Sequence, residues 1–158
     1  MTAHAHRALA RFVPECDDGA VDRRDERWAV DNFAQRYRLP TGGVVAEIEN
    51  RVIGSAWGAN GYTTRAQADD LGRRLRLAPG VRLCDLGAGR GWPGLYLAQQ
   101  FGCDVVLTDL PFEGIAIAAE TARKRGLDRL AAGVVSSARA LPFRPKSFDA
   151  LVHTDVLC

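Results

Sequence analysis

Lysine is almost missing from this chain. Of its 21 basic residues only Lys124 and Lys146 are lysines, the others being arginine. The formal net charge is +2 and no basic block stands out, so neither a nucleic acid nor a membrane surface is indicated as partner. The arginine bias reads as the coding preference of a GC-rich, bacterial genome. Cysteine is scarce as well: Cys16, Cys84, Cys103 and Cys158 show no C-x-x-C spacing, which argues against a zinc or redox motif. Cys84 lies inside an apolar strand and is read as an inert buried thiol. No apolar run approaches the roughly 18 residues of a membrane span. The first residues lack the apolar core of a signal peptide, so the expected location is cytoplasmic. No G-x-S-x-G hydrolase signature is present.

What remains is 158 residues with 47% apolar and 25% charged side chains, a globular composition large enough for one core. Residues 1–20 read as a loose arm; His4 and His6 on it are not taken as metal ligands, and no metal is expected. Residues 21–78 read as helical. The first helix spans Asp22 to Arg38, with Trp28, Phe33 and Tyr37 on one face and Pro40 beyond its end. The second spans Val44 to Ile53, where Val45, Ile48 and Val52 repeat at helical spacing. A glycine-rich loop, 54–61, follows. The third helix starts after Thr64, which forms a capping box with Gln67, and turns Ala68, Leu71 and Leu75 inward.

From residue 79 onward the pattern alternates. Strands are predicted at 81–86, 104–108, 132–136 and 148–153, with helices at 92–101 and 114–125. Pro93 suits a first helical turn and Gly126 a C-terminal cap. Strand, helix, strand, helix, strand calls for right-handed crossovers and a parallel sheet, a Rossmann-like α/β fold preceded by N-terminal helices.

The informative stretch is Asp85 to Gly94, D-L-G-A-G-R-G-W-P-G, between a buried strand and a helix. Glycines there permit a tight turn and a close ligand approach, and the next helix offers N–H groups to an anion. Asp109 ends the second strand, 18 residues past Gly91, where a carboxylate can accept both hydroxyls of a ribose. Two frames fit. From Gly89, G-x-G-x-x-G matches a dinucleotide fingerprint and a nicotinamide-dependent oxidoreductase. That frame leaves Asp85 and Gly87 without a role. Started at Gly87, straight off the strand, it needs a third glycine where Trp92 stands.

Read from Asp85, D-x-G-x-G-x-G resembles motif I of the class I S-adenosylmethionine-dependent methyltransferases, small-molecule type. The resemblance extends from about residue 58 to 158. Ala138 to Val152, with Leu141-Pro142-Phe143 and Ser147-Phe148-Asp149, is similar to the family's L-P-F … S-F-D segment. The resemblance implies S-adenosylmethionine as cofactor and a small-molecule methyl acceptor. It places the methionine end across Gly87, Ala88 and Gly89, the ribose on Asp109, and the adenine near Leu110, Ser137 and Ala138, with Gly91 also among the cofactor-binding residues. Ser137 departs from the family, which usually has Asp there. Asp85 either holds the cofactor's ammonium or shapes the turn. Tyr62 either covers the methionine moiety or is an ordinary packed aromatic. His153 is the candidate base, against a packing role. Arg90 is read as a surface side chain and Trp92 as packing. Asp155 is read as the cap of a further helix.

The family's sheet runs 3-2-1-4-5-7-6, and strands 3-2-1-4 account for residues 79–158. The chain is therefore expected to be the cofactor-binding half of such a domain, truncated after its fourth strand. Strand 148–153 would then present an open apolar edge through which the chain could self-associate. A non-catalytic remnant is the further alternative.

Overall fold

The computed structural model of the chain describes residues 23–155, so the expected arm with His4 and His6 lies outside the described residues. Three helices come first: α1 (Arg23–Tyr37), α2 (Val44–Ile53) and α3 (Arg65–Arg74). Then follow β1 (Arg82–Leu86), α4 (Gly94–Phe101), β2 (Asp104–Asp109), α5 (Phe112–Lys124), β3 (Ala131–Val135) and β4 (Ala150–Val152). The four strands pair in parallel in the order β3-β2-β1-β4, as the alternating pattern predicts.

Register fixes which residues share a face. Asp85 lies beside Leu107 and Val152, and Leu107 beside Gly133. Both crossovers step the same way, from β1 to β2 to β3, so right-handedness places α4 and α5 on one face. Two glycine sites agree: a Cβ on Gly94 of α4 would meet Leu107, and one on Gly133 would meet Ile115 of α5. The core forms on this face from Leu83, Val105 and Leu107 of the sheet, Leu95 and Ala98 of α4, and Ala118 and Ala122 of α5. Cys84 and Cys103 are buried free thiols whose pKa values burial raises.

The capping box at Thr64 is formed, and Ala68 is buried with Leu71 and Leu75 packed on the core. Boundaries differ by two residues at three places and by one residue at several others. α4 begins at Gly94, two residues late, because Trp92 packs as part of the loop and Pro93 is the N-cap. α5 begins at Phe112, and β4 keeps only three residues.

The first two helices are rotated from the expected positions. On α1, Tyr37 and Ala34 are buried, while Trp28 is 64% exposed and Phe33 lies at the surface. On α2 the buried face holds Glu49 and Ile53, and Val45, Ile48 and Val52 are exposed. The reason is polar. The Glu49 carboxylate accepts the backbone N–H groups of Trp57, Gly58 and Ala59 at 2.7, 3.0 and 3.0 Å. These three charge-assisted bonds hold the Glu49 face of α2 inward.

Candidate functional site

The site lies at the carboxyl ends of β1 and β2. Asp85 ends up 1% exposed, with Oδ2 accepting the N–H of Gly94 at 2.9 Å. It caps the start of α4 and closes the glycine loop into a fixed turn, which is the second of its two expected roles. Burial pushes its pKa up to about 7; the Gly94 N–H pulls the other way, and the Asp109 charge adds to the rise. The helix amides expected to await an anion are already engaged, Gly94 with Asp85 and Leu95 with the Gly91 carbonyl.

The loop is tied to β2 as well. The N–H groups of Gly87 and Ala88 both donate to the Thr108 carbonyl, at 2.8 and 2.9 Å. Gly91 is at φ 97°, and a Cβ there would strike Leu95 and Ala118, so the loop packs closely on α4 and α5 at this point.

Asp109 is held from three sides. Its Oδ2 accepts the Gly89 N–H at 2.6 Å and the Tyr37 hydroxyl at 3.0 Å, and its Oδ1 accepts the Leu110 N–H at 2.7 Å. Burial raises its pKa against the pull of these three donors. On one side of it opens a cavity of about 250 Å3, lined by Gly87, Asp109, Leu110, Ser137 and Ala138 among others. Four of these are the expected ribose and adenine residues, brought together from β2, the β2–α5 turn and the segment after β3. Ser137 donates to Glu26 of α1 at 2.7 Å and accepts from the Arg139 N–H at 3.1 Å.

A smaller cavity of about 60 Å3 lies over Gly87, Ala88 and Gly89, lined also by Asn60, Gly61 and Tyr37. This corresponds to the expected methionine end. Tyr62 is placed elsewhere. It is 83% exposed and lines a third cavity beside Thr154 and Asp155, because its backbone N–H is drawn to Asp155 at 3.0 Å. Its neighbours Asn60 and Gly61 line the glycine-loop cavity instead. His153 is exposed just beyond β4 and lines none of these cavities, so nothing in its placement favours a base. The helix that Asp155 is expected to cap falls outside the described residues. Asp155 accepts the Thr63 N–H and hydroxyl at 3.2 and 2.9 Å, tying the N-terminal layer to the end of β4.

Sequence reasoning missed four contributors. Arg90, expected at the surface, is buried and donates through Nη2 to the carbonyls of Arg36, Tyr37 and Leu39, the last at 2.7 Å. It thereby caps the C-terminus of α1. Glu49 shapes the loop that carries Asn60, Asp155 anchors that loop's far end, and Tyr37 reaches Asp109. Trp92 is packed, as expected, against Trp57 and Tyr96 with ring centroids 6.2 and 5.3 Å away, and its indole N–H donates to the Thr63 carbonyl.

Comparison with known proteins adds a family. Residues 83–158 match the family described as a methyltransferase domain. Glycine/sarcosine/dimethylglycine N-methyltransferase of Actinopolyspora halophila is 32% identical over 82 residues, 52% of this chain and 14% of that protein. The crystal structure of geranyl diphosphate C-methyltransferase from Streptomyces coelicolor A3(2), in complex with Mg2+, geranyl diphosphate and S-adenosyl-L-homocysteine, is 25% identical. It superposes with a TM-score of 0.55 over 78% of this chain and 43% of that one. The [4+2]-cyclase SpnF is also 25% identical, with a TM-score of 0.55 over 80% of this chain and 47% of that one. The chain thus spans less than half the length of each of these relatives.

Proposed function

Because the chain belongs to the class I S-adenosylmethionine-dependent methyltransferases, we propose that its glycine-loop site binds S-adenosylmethionine and serves methyl transfer to a small-molecule acceptor. The observation that carries this reading is a pair of cavities that share Gly87, the larger lined by Asp109 and the smaller by the glycine loop. Leu110 and Ala138 offer an apolar slot to the adenine, and Asp109 offers its free lone pair to a ribose hydroxyl. Ala88 and Gly89 present a floor without bulky side chains to the methionine end, beside Asn60 and Gly61.

The residues present fit such a cofactor. Asp109 is a desolvated carboxylate at the end of β2, and the segment past β3 supplies a polar Ser137 beside an open apolar wall. When bound, the cofactor supplies a sulfonium-activated methyl group whose departure leaves a neutral thioether. The protein's part is orientation and exclusion of water. Arg90 and Glu49 hold the surrounding layer in place for that task.

The dinucleotide alternative draws no support from the comparisons, whose matching family is a methyltransferase domain. The fold by itself does not dictate methyl transfer, since a relative of equal similarity is named a cyclase. Association of copies through β4, which among the described residues pairs only with β1, is part of the same proposal.

Calorimetric titration tests it. S-adenosylmethionine or S-adenosylhomocysteine should bind and NAD(H) should not. Tighter binding of NAD(H), in a sample that melts cooperatively, would overturn the reading. Sedimentation over a range of concentrations checks the association.

A further inference from the structure

We infer that Tyr37 gates the cofactor site: its hydroxyl occupies an Asp109 bond that a ribose needs, and binding exchanges the one for the other. The inference rests on the reading of Asp109 as the ribose acceptor.

The lone pairs decide the matter. A carboxylate has about four acceptor positions. Three are taken: Gly89 N–H and Tyr37 hydroxyl on Oδ2, and Leu110 N–H on Oδ1. One position is left on Oδ1, while a ribose brings two hydroxyls. The second must displace a donor from Oδ2. The Gly89 N–H cannot leave without unmaking the loop, whose neighbouring amides are fixed on Thr108. The Tyr37 hydroxyl sits on a side chain, with rotatable bonds, and is the donor free to go.

Tyr37 is seated in a slot cut for it. A Cβ on Gly89 would lie 3.2 to 3.4 Å from its ring and hydroxyl, and one on Gly114 would lie 2.9 Å from its ring. Two glycines on two different elements leave room for one aromatic plane. The rest of α1 is secured independently. Arg90 holds its terminal carbonyls, Arg38 pairs with Glu113 at 2.6 Å, and Glu26 receives the Ser137 hydroxyl. The exchange is therefore a movement of one side chain against a fixed helix.

The cavities agree. The larger contains Asp109 and Ser137, the smaller contains Tyr37, and the Tyr37–Asp109 contact links their linings. A ligand extending from the adenine slot to the methionine floor crosses that contact. Burial and the Asp109 charge hold the phenol well above its usual pKa, so Tyr37 remains a donor at physiological pH.

The experiment is calorimetric titration of S-adenosylhomocysteine into wild type and Tyr37→Phe, with melting curves for both. Phenylalanine keeps the ring in its slot and removes only the competing donor. The variant is expected to bind about threefold to tenfold more tightly. That gain should vanish with the 2′,3′-dideoxy analogue of the ligand, which a merely structural effect would not distinguish. Unchanged or weaker binding by Tyr37→Phe would overturn the gate while leaving the cofactor reading intact. Binding by neither protein, both melting cooperatively, would overturn the cofactor reading and the gate with it. Should the variant fail to fold, wild type labelled at the tyrosine ring carbons decides. Titration with the ligand should shift the Tyr37 resonance, and an unmoved signal under saturation would overturn the inference.

Discussion

The carboxylate of Glu49, on the inner face of α2, gathers the backbone N–H groups of Trp57 and its two successors, with 2.7 Å to Trp57. A glycine-rich loop that composition alone leaves flexible is thereby fixed in one shape. Its continuation, Asn60 and Gly61, lines the glycine-loop cavity. Glu49→Ala leaves three N–H groups without their acceptor and should cost about 2–4 kcal/mol in denaturant unfolding. Glu49→Gln should cost less, about 1–2 kcal/mol, since one amide oxygen can still serve Trp57 and Ala59 while the NH2 opposes Gly58. Equal stability of wild type and the alanine variant would show that the loop is shaped by its aromatic packing alone.

Arg90 reaches the end of α1 through only part of its guanidinium. In this structure a single nitrogen, Nη2, makes all three bonds to the end of α1, and the buried Nε has no partner. An ammonium carries three donors on one atom. The ammonium of Arg90→Lys, however, ends one bond short of Nη2, so Arg90→Lys should recover only part of the roughly 2–3 kcal/mol that Arg90→Met loses. Hydrogen exchange at residues 36–39 is the local check, with the fastest exchange expected in the methionine variant and intermediate protection in the lysine variant.

Asp109 has to serve the protein and the ligand at once. Asp109→Ala should weaken binding of S-adenosylhomocysteine by roughly tenfold to a hundredfold, the equivalent of one or two hydrogen bonds to a charged group. Asp109→Asn keeps one acceptor and should fall between. Because the same carboxylate receives Gly89 and Tyr37, the alanine variant should also melt earlier than wild type. A variant with lowered melting temperature and undiminished affinity would place the ribose elsewhere.

The sheet was readable because its strands are short apolar runs bounded by Pro79-Gly80, Gly102 and Gly126, and because D-L-G-A-G-R-G follows one of them directly. Asp109 was readable as the close of β2, whereas Leu110, Ser137 and Ala138 came from the resemblance to the methyltransferases; all four line one cavity because strand ends on one side of a parallel sheet converge. The orientation of the helices was not. Val45, Ile48 and Val52 signal a core face by period, yet the winning interaction is a carboxylate nest whose donors lie 8 to 10 residues downstream. Tyr37 and Asp109 are 72 residues apart, and Asp155 is 92 from Thr63. No local pattern encodes such pairs. The glycines at 89 and 114 are a trace of the first pair and Gly61 of the second, and none of them by itself names its partner.

Stability should depend on pH through Asp85. Its pKa is pushed up to about 7 in the folded chain from the 3.8 of an exposed aspartate, so the folded state holds a proton that the unfolded state releases. Stability from this group is fully present below about pH 4 and is lost as the pH rises to about 7. The shift of about three units corresponds to an upper bound on the order of 4 kcal/mol. The Asp109 pKa is raised as well and acts in the same direction. Asp85→Asn mimics the protonated acid: its oxygen accepts the Gly94 N–H, and it carries no charge to desolvate. The variant should be more stable than wild type at pH 8 and nearly equal to it at pH 4, with the residual slope belonging to Asp109. Denaturant unfolding at several pH values between 4 and 8 provides the measurement. Parallel curves for the two proteins would mean that Asp85 is ionised throughout, sustained by the Gly94 N–H.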